Sequence, residues 1–288
     1  HYLKLSADQN NSNAQFLVGW IFYFKFNSSN KDEAIKYLLL ASKQNHPCAN
    51  FMLGQIFCMG HYVPRDIPRS IYHLKIASDL NDSDAQYTLG QMYFTGEYVP
   101  QDLKKSFHYY SLSLKQKNPY AQLVFAQFYY DGIYLTRDIQ KSIYYYTLSA
   151  NQNIAYANVM LGIIFLTEVY QPIKGINYLK NAFSLNDSNA SFILAIIYLY
   201  GTDGIPYDIK ESLKYFEISA NQKNQDAQFL LGIIYYINQD IPQDINKAIQ
   251  YLSLSSNLNN STAQFFLGTI YYERGLINKS INLFLNSS

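Results

Sequence analysis

Apolar and small residues recur along the chain with the period of an α-helix, and the whole pattern returns about every 36 residues. Counted from a small residue at position 0, positions +4, +5 and +8 are also apolar or small, so the four share one helix face. The position-0 residues, spaced 33 to 37 apart, are Ala14, Ala49, Ala85, Ala121, Ala157, Ala190, Ala227 and Ala263. The pattern predicts eight amphipathic helices, one in each of eight repeats.

A turn and a second helix are predicted after the first helix of most repeats. In the third repeat, Gly96 ends the first helix in a left-handed conformation, Pro100 keeps the connection extended, and Asp102 caps the second helix. The Gly96 position is also glycine at Gly60, Gly132 and Gly201, and the Asp102 position is also aspartate at Asp66, Asp138, Asp208 and Asp244. Each repeat is therefore predicted to be a helical hairpin.

Position +5 is the most uniform position of the repeat. It holds Gly19, Gly54, Gly90, Gly162, Gly232 and Gly268, with Ala126 and Ala195 in the other two copies. Glycine inside a helix costs about 1 kcal/mol relative to alanine, so its recurrence indicates that a side chain here would block the second helix. A single hairpin cannot bury its apolar face, and stacked hairpins form an α-solenoid.

The unit resembles the Sel-one-like repeat (SLR) family, a relative of the tetratricopeptide repeats. The stretch from Ala85 to Asp102 follows the family's small-x-x-x-Leu-Gly-x-x-aromatic-x-x-Gly string and the Val-Pro-x-Asp string after it. The resemblance covers essentially the whole chain. It implies an all-α fold, a right-handed α-solenoid of about eight helix-turn-helix repeats, with residues 1–288 as a single solenoid. It also implies a scaffold or adaptor, since such proteins serve in signalling, protein quality control and host–microbe contact.

Two repeats and the start of the chain depart from the pattern. Glu168 replaces the first-helix glycine of the fifth repeat, and Lys25 replaces it in the first, where Ser28-Ser29-Asn30 stands in place of the Pro-Asp loop. The segment Tyr2–Asn10 aligns with Tyr145–Asn153 of a second helix. We therefore expect the chain to start inside an incomplete repeat and to be a segment of a larger protein.

Composition and charge narrow the classes of partner. The chain has 22 Lys and Arg against 21 Asp and Glu, a net charge of +1, which argues against a nucleic-acid binder. The most apolar run, from Ala190 to Tyr200, is 11 residues long, too short to span a membrane. With only two cysteines and no signal peptide in sight, we expect a cytoplasmic protein. Nothing in the sequence indicates oligomerisation.

Catalytic and cofactor motifs are not found in the sequence. There is no Gly-rich phosphate loop and no His-Glu-x-x-His string, and His73 and His108 are expected on second helices as solvated or partly packed residues rather than metal ligands. Cys48 and Cys58 are expected to be structural or incidental thiols rather than nucleophiles. Tyr109-Tyr110 and Tyr144-Tyr145-Tyr146 are expected to fill the core between repeats. We therefore expect no enzyme, no cofactor and no metal in this segment.

Helical geometry predicts the binding surface. At 100° per residue, positions +2, +6 and +9 lie opposite the core face, and in tetratricopeptide-like solenoids the first helices line the concave side. The candidate residues on this face are Trp20, Gln55, Gln91, Phe94, Gln127, Tyr130, Ile196, Ile233 and Tyr236. Gln55, Gln91 and Gln127, here called the glutamine ladder, can pair with the backbone of an extended peptide. Ile196 and Ile233, the isoleucine stretch, offer a surface for the apolar face of a helix. Burial between neighbouring repeats is the alternative for both.

The predicted function is a scaffold that binds a peptide or partner protein on its concave face. The alternative is a recruitment or regulatory arm of a larger enzyme, such as a protein kinase or a ubiquitin-ligase component. The two differ in whether a catalytic domain shares the reading frame.

Overall fold

The computed structural model describes residues 2–25, 30–237 and 239–287, and within them the chain forms seventeen α-helices and no β-strand. The helices are α1 Tyr2–Asp8, α2 Ser12–Lys25, α3 Lys31–Lys43, α4 Pro47–Met59, α5 Ile67–Asp79, α6 Ser83–Thr95, α7 Leu103–Lys115, α8 Pro119–Asp131, α9 Ile139–Ala150, α10 Ala155–Thr167, α11 Pro172–Ser184, α12 Ser188–Tyr200, α13 Ile209–Asn221, α14 Gln225–Ile237, α15 Ile245–Ser256, α16 Ser261–Glu273 and α17 Ile277–Ser287. From α2 onward they alternate as first and second helices of hairpins. The predicted all-α solenoid of helical hairpins is confirmed.

The predicted anchors mark the start of every first helix. Each position-0 alanine is the third residue of an even-numbered helix and is almost fully buried. Aspartate caps the second helix where it was expected, since the Asp102 carboxylate accepts from the Lys105 backbone N–H at 3.0 Å and Asp66 accepts from Arg69 in the same way. The backbone N–H of Asp102 in turn donates to the Tyr93 carbonyl at 2.9 Å. The cap residue therefore also closes the loop onto the first helix.

Glycine at position +5 permits the close approach that the sequence predicted. A Cβ built on Gly54 would lie 2.6 Å from Leu74 Cγ, and one built on Gly90 would lie 2.6 Å from Tyr110 Cδ1. The same holds at Gly162, whose built Cβ would lie 2.6 Å from Leu179 Cγ. These contacts join the two helices of one hairpin, so the glycines set the distance between α4 and α5, α6 and α7, and α10 and α11.

The turns after the first helices follow the prediction with one exception. Gly60, Gly96 and Gly132 adopt the left-handed conformation. Gly201 has a positive φ of 71° but a ψ of 168°, which places it outside the left-handed helical region. The cause is a longer connection, in which Thr202 and Ile205 pair in a tight antiparallel turn. The predicted departure in the first repeat lies largely outside the described residues.

Asparagine marks the turn between one hairpin and the next, a feature that the sequence analysis missed. The residue four positions before each anchor has a positive φ of 58° to 69°; these residues are Asn10, Asn45, Asn81, Lys117, Asn153, Asn186, Lys223 and Asn259. Asparagine tolerates this conformation better than other side chains with a Cβ. The turn therefore carries its own sequence signal, in phase with the repeat.

The chain divides into two compact units, His1–Tyr145 and Tyr146–Ser288. In the second unit, one continuous apolar core runs through α10 to α16 and includes Leu179, Leu194, Leu231 and Leu252. In the first unit the core is a series of smaller clusters, one around Leu53 and another around Leu89. The candidate site described next lies within the first unit.

Candidate functional site

A groove of about 530 Å³ opens between the first helices α4 and α6 of the first unit. From α4 it is lined by Phe51, Gln55 and Cys58, which are the +2, +6 and +9 positions of the second repeat. Gly54 and Leu74 form the floor. Because Gly54 has no side chain and packs directly on Leu74, the floor lies deep between the helices.

The opposite wall combines aromatic and polar groups. Tyr87 and Gln91, the +2 and +6 positions of α6, line it together with Asp84. Tyr120, from the start of α8, extends the wall, and its ring centroid lies 5.6 Å from that of Tyr87. The groove thus brings two candidate glutamines, Gln55 and Gln91, to opposite sides of one cavity.

A buried amide fixes the position of the Asp84 carboxylate. Asn118 is almost fully buried, and its Nδ2 donates to Asp84 Oδ1 at 2.7 Å. The Oδ1 of Asn118 accepts from the backbone N–H groups of Tyr120 and Ala121, so the same side chain caps α8. The edge of α6 and the start of α8 are therefore held in a fixed relation across the end of the groove.

Burial also sets the protonation of two groups in the groove. Loss of solvent raises the pKa of Tyr87, with a smaller effect of Tyr120, so its hydroxyl stays protonated and available as a donor. Burial likewise raises the pKa of the Cys58 thiol. A raised thiol pKa disfavours the thiolate, which is the nucleophilic form. Cys58 is thus a groove residue whose thiolate is disfavoured by burial.

The other candidates of the first unit lie outside this groove. Gln127 donates from Nε2 to both carboxylate oxygens of Asp131 at 2.9 Å. Phe94 packs in an aromatic cluster, with its ring centroid 5.4 Å from that of Tyr134. The carbonyl of Tyr130 accepts from Arg137 Nε at 3.1 Å. Of the three predicted glutamines, Gln55 and Gln91 therefore share the groove, whereas Gln127 binds Asp131 on its own helix.

Trp20 and the candidates of the second unit lie elsewhere. Trp20 is 40% exposed and packs against Phe24. Ile196 and Ile233 are partly buried and pack against the core of the second unit. The Tyr236 hydroxyl donates to Glu273 Oε2 at 2.8 Å, and burial raises the pKa of that tyrosine.

Other groove residues were not named as candidates in the sequence analysis, among them Phe51, Asp84, Tyr87 and Tyr120. Tyr87 occupies position +2, which the sequence analysis placed on the correct face without naming this residue. Asp84 and Tyr120 occupy position −1, which at 100° per residue projects beside position +6. The same helical geometry, applied to the residue before each anchor, would therefore have predicted Asp84 and Tyr120 on this face.

Histidine and cysteine do not form a metal site in the part of the chain that the structure describes. There, no group of three or more His, Cys, Asp or Glu residues could hold a metal ion. His73 is buried rather than solvated, and its Nδ1 lies 2.9 Å from Asn50 Oδ1. Among the described helices, none is both long and apolar enough to cross a membrane.

The repeats match one family model over most of their length. The Sel1 repeat model matches residues 12–46, 49–82, 83–118, 119–154, 188–224, 225–260 and 261–283. The chain belongs to the Sel1 repeat family. The gap between the fourth and fifth matches contains α10 and α11, which pack as a hairpin through Gly162 and Leu179. The structure therefore shows a helical hairpin at the Ala157 anchor, in a stretch that the family model does not match.

Solved structures share the fold. A protective antigen of uropathogenic Escherichia coli with an SLR fold is 24% identical, covers 99% of this chain and aligns with a TM-score of 0.79. This chain spans 63% of that antigen. A Sel1 repeat protein from Oxalobacter formigenes is also 24% identical, with 99% and 85% of the two chains covered and a TM-score of 0.67.

Yeast Tom70 is a more distant neighbour of the same fold. It is 12% identical, with 96% of this chain and 60% of Tom70 covered, at a TM-score of 0.52. A comparison with curated proteins gave no significant match. Sel1 repeats and the related tetratricopeptide-like folds are typical of protein–protein interaction scaffolds.

Proposed function

We propose that this Sel1 repeat chain is an interaction module that binds an extended peptide segment of a partner protein in the groove between α4 and α6. The observation that carries the proposal is the placement of Gln55 and Gln91 on the two sides of one groove of about 530 Å³. A volume of this size lies within the range of typical ligand sites.

The chemistry of the walls suits a peptide backbone. A side-chain amide has both donors and an acceptor, so Gln55 and Gln91 can pair with the N–H and C=O groups of an extended chain. Phe51 and Tyr87 supply aromatic surface beside these amides, and such surface binds side chains at low entropic cost. The groove therefore offers both backbone pairing and side-chain contact.

The first helices hold this face in place. Asn118 ties the edge of α6 to α8, and Gly54 fixes α4 against α5 through Leu74. A groove that is formed before binding loses less entropy when a ligand enters. Binding is therefore expected to leave the helices where they are.

The test is a display selection with random heptapeptides on the wild-type protein. Enriched peptides are then measured by fluorescence anisotropy against three proteins: wild type, the pair Gln55→Ala with Gln91→Ala, and the control Gln127→Ala. Because each lost amide removes a hydrogen bond worth about 1 kcal/mol, the pair is expected to weaken binding about 30-fold. The control lies outside the groove and is expected to bind like wild type. Equal affinity of the pair and wild type overturns the proposal.

A further inference from the structure

The charged groups of the groove are of one sign. Asp84 is the single ionisable acid among the lining residues, and neither lysine nor arginine lines the cavity. The fixed negative charge continues beside the groove at Asp82, the N-cap of α6. These two carboxylates contribute to the raised pKa of the nearby Cys48 thiol, after the larger effect of burial. The end of the groove formed by α6 thus favours a cationic ligand.

Aromatic rings stand beside this carboxylate. Tyr87 and Tyr120 line the same cavity as Asp84, with their ring centroids 5.6 Å apart and their planes tilted by 38°. Cations are attracted to the faces of aromatic rings, and a guanidinium also stacks on them through its own plane. A carboxylate and two tyrosines in one groove thus combine both means of holding a cation.

Acceptor oxygens complete the arrangement. Asp84 Oδ1 accepts a hydrogen bond from Asn118, and this bond fixes the orientation of the carboxylate. The second carboxylate oxygen, Oδ2, is a further acceptor for a ligand. Gln55 and Gln91 add amide oxygens on the two walls. A guanidinium carries five N–H donors in a rigid plane, whereas an ammonium is a compact point charge with three. Several acceptor oxygens placed around aromatic rings therefore fit the guanidinium of arginine better than the ammonium of lysine.

We infer that the groove binds a peptide through an arginine side chain, which packs on the exposed surface of the Tyr87–Tyr120 ring pair and pairs with Asp84. This inference rests on the proposed function, and it adds the chemistry of the bound segment. The amides of Gln55 and Gln91 then pair with the backbone on either side of the arginine. Negative charge and aromatic surface together exclude an acidic peptide from this position.

The first experiment uses synthetic heptapeptide mixtures with one fixed central residue and all other positions randomised. Binding of each fluorescein-labelled mixture is measured by anisotropy. The arginine mixture is expected to bind tightest, ahead of lysine, and citrulline, which keeps the shape but loses the charge, is expected to bind at least about tenfold more weakly. Equal binding of arginine and citrulline mixtures overturns the inference.

The second experiment removes the carboxylate. Asp84→Asn keeps the size of the side chain, and it is expected to reduce the affinity of the arginine mixture about tenfold while leaving the citrulline mixture unchanged. The matched control is Asp226→Asn, because Asp226 holds the same −1 position in α14, where Ile233 replaces the glutamine at +6. Tyr120→Leu is a second variant at an exposed position, and it is expected to weaken arginine binding through loss of the ring. Circular dichroism checks that the variants keep their helix content.

The outcomes separate the inference from the proposed function. Peptide binding that depends on Gln55 and Gln91 but shows no arginine preference, or an arginine preference that Asp84→Asn leaves intact, overturns the inference alone. Absence of binding by every mixture and by every displayed peptide overturns both. Free arginine amide that competes as well as the arginine peptides overturns the peptide part of the inference, because the backbone contacts then contribute nothing.

Discussion

Gln116 Nε2 donates a hydrogen bond of 2.7 Å to Gln86 Oε1, which joins the end of α7 to the start of α6. The Nε2 of Gln86 donates in turn to the carbonyl of Ser78 in α5, at 3.1 Å. One buried amide thus connects three consecutive helices from two repeats. Gln15 and Gln228 occupy the same +1 position and donate to Ala7 and Ala220 in the same way.

Replacing Gln86 by leucine tests this connection. Leucine fills a similar volume but removes both hydrogen bonds of the Gln86 amide. The Ser78 carbonyl keeps the Asn81 backbone N–H as a donor at 3.0 Å, and the exposed Gln116 amide can bind water, so we expect the first unit to lose about 1–2 kcal/mol of stability. Urea denaturation followed by circular dichroism measures the loss. Gln91→Leu is the control, because Gln91 is exposed and its loss leaves no buried group unpaired. Equal midpoints for the two variants would show that the buried amide adds no stability.

Gly90→Ala tests the close packing of α6 on α7. The added Cβ would lie 2.6 Å from the Tyr110 ring, so we expect a loss of about 1–3 kcal/mol from overpacking. In a Tyr110→Ala background the obstructing ring is gone, and the same substitution is expected to cost much less. Thermal unfolding of the four proteins gives the coupling between the two positions. Additive effects would contradict a steric role of the glycine.

The hairpin, its caps and its close-packed glycine were all predictable from the sequence, because each depends on local spacing. Tyr109 and Tyr110 show where local spacing fails. Tyr110 lies in the core between repeats as predicted, with its ring 6.3 Å from Phe128 of the next repeat. Tyr109 instead stacks on Tyr93 of its own hairpin, with ring centroids 5.9 Å apart and planes 3° from parallel. Adjacent residues on one helix point in different directions, and the sequence alone does not predict which neighbouring helix each of them contacts.

The candidate site was predicted in part for the same reason. Gln55 and Gln91 meet in one groove because their helices α4 and α6 pack side by side. Gln127 was expected beside them, but Asp131 follows it by four residues and binds its amide. The glutamines at position +1 lie 100° from the anchor, beside the core face, and their carbonyl partners lie on the preceding helix. Periodicity along one helix does not predict these partners. The contacts that form the site are between residues of different repeats. Spacing along the chain does not predict which residues of two neighbouring repeats lie side by side.

His73 predicts a dependence of stability on pH. Burial lowers the pKa of His73 below its ordinary 6.5, so below that pH the unfolded chain takes up a proton before the folded one does. Stability is therefore retained at neutral pH and falls as the pH drops below 6.5. Glutamine at this position removes the titration, so His73→Gln should lose less stability than wild type between about pH 7.5 and about pH 5.5. Urea midpoints at the two pH values measure the difference.

His46 also contributes to the dependence of stability on pH. Burial lowers the pKa of His46 as well, so the His73→Gln variant is expected to keep a smaller pH dependence rather than none. A double variant with His46→Gln is expected to reduce it further. Identical losses in wild type and His73→Gln would contradict the assignment of a neutral, buried His73.

Protection of the Cys58 thiol tests the location of the binding site most directly. Cys58 lines the groove, and Cys48 is the only other cysteine, so Cys48→Ser leaves a single thiol in the cavity. The rate of Cys58 alkylation by iodoacetamide is measured at mildly alkaline pH, with and without a saturating arginine heptapeptide. The groove account predicts a rate about tenfold slower with the arginine peptide and a much smaller slowing with the citrulline peptide at the same concentration, because a bound chain covers the thiol. An arginine peptide that binds the protein but leaves the alkylation rate of Cys58 unchanged would contradict it.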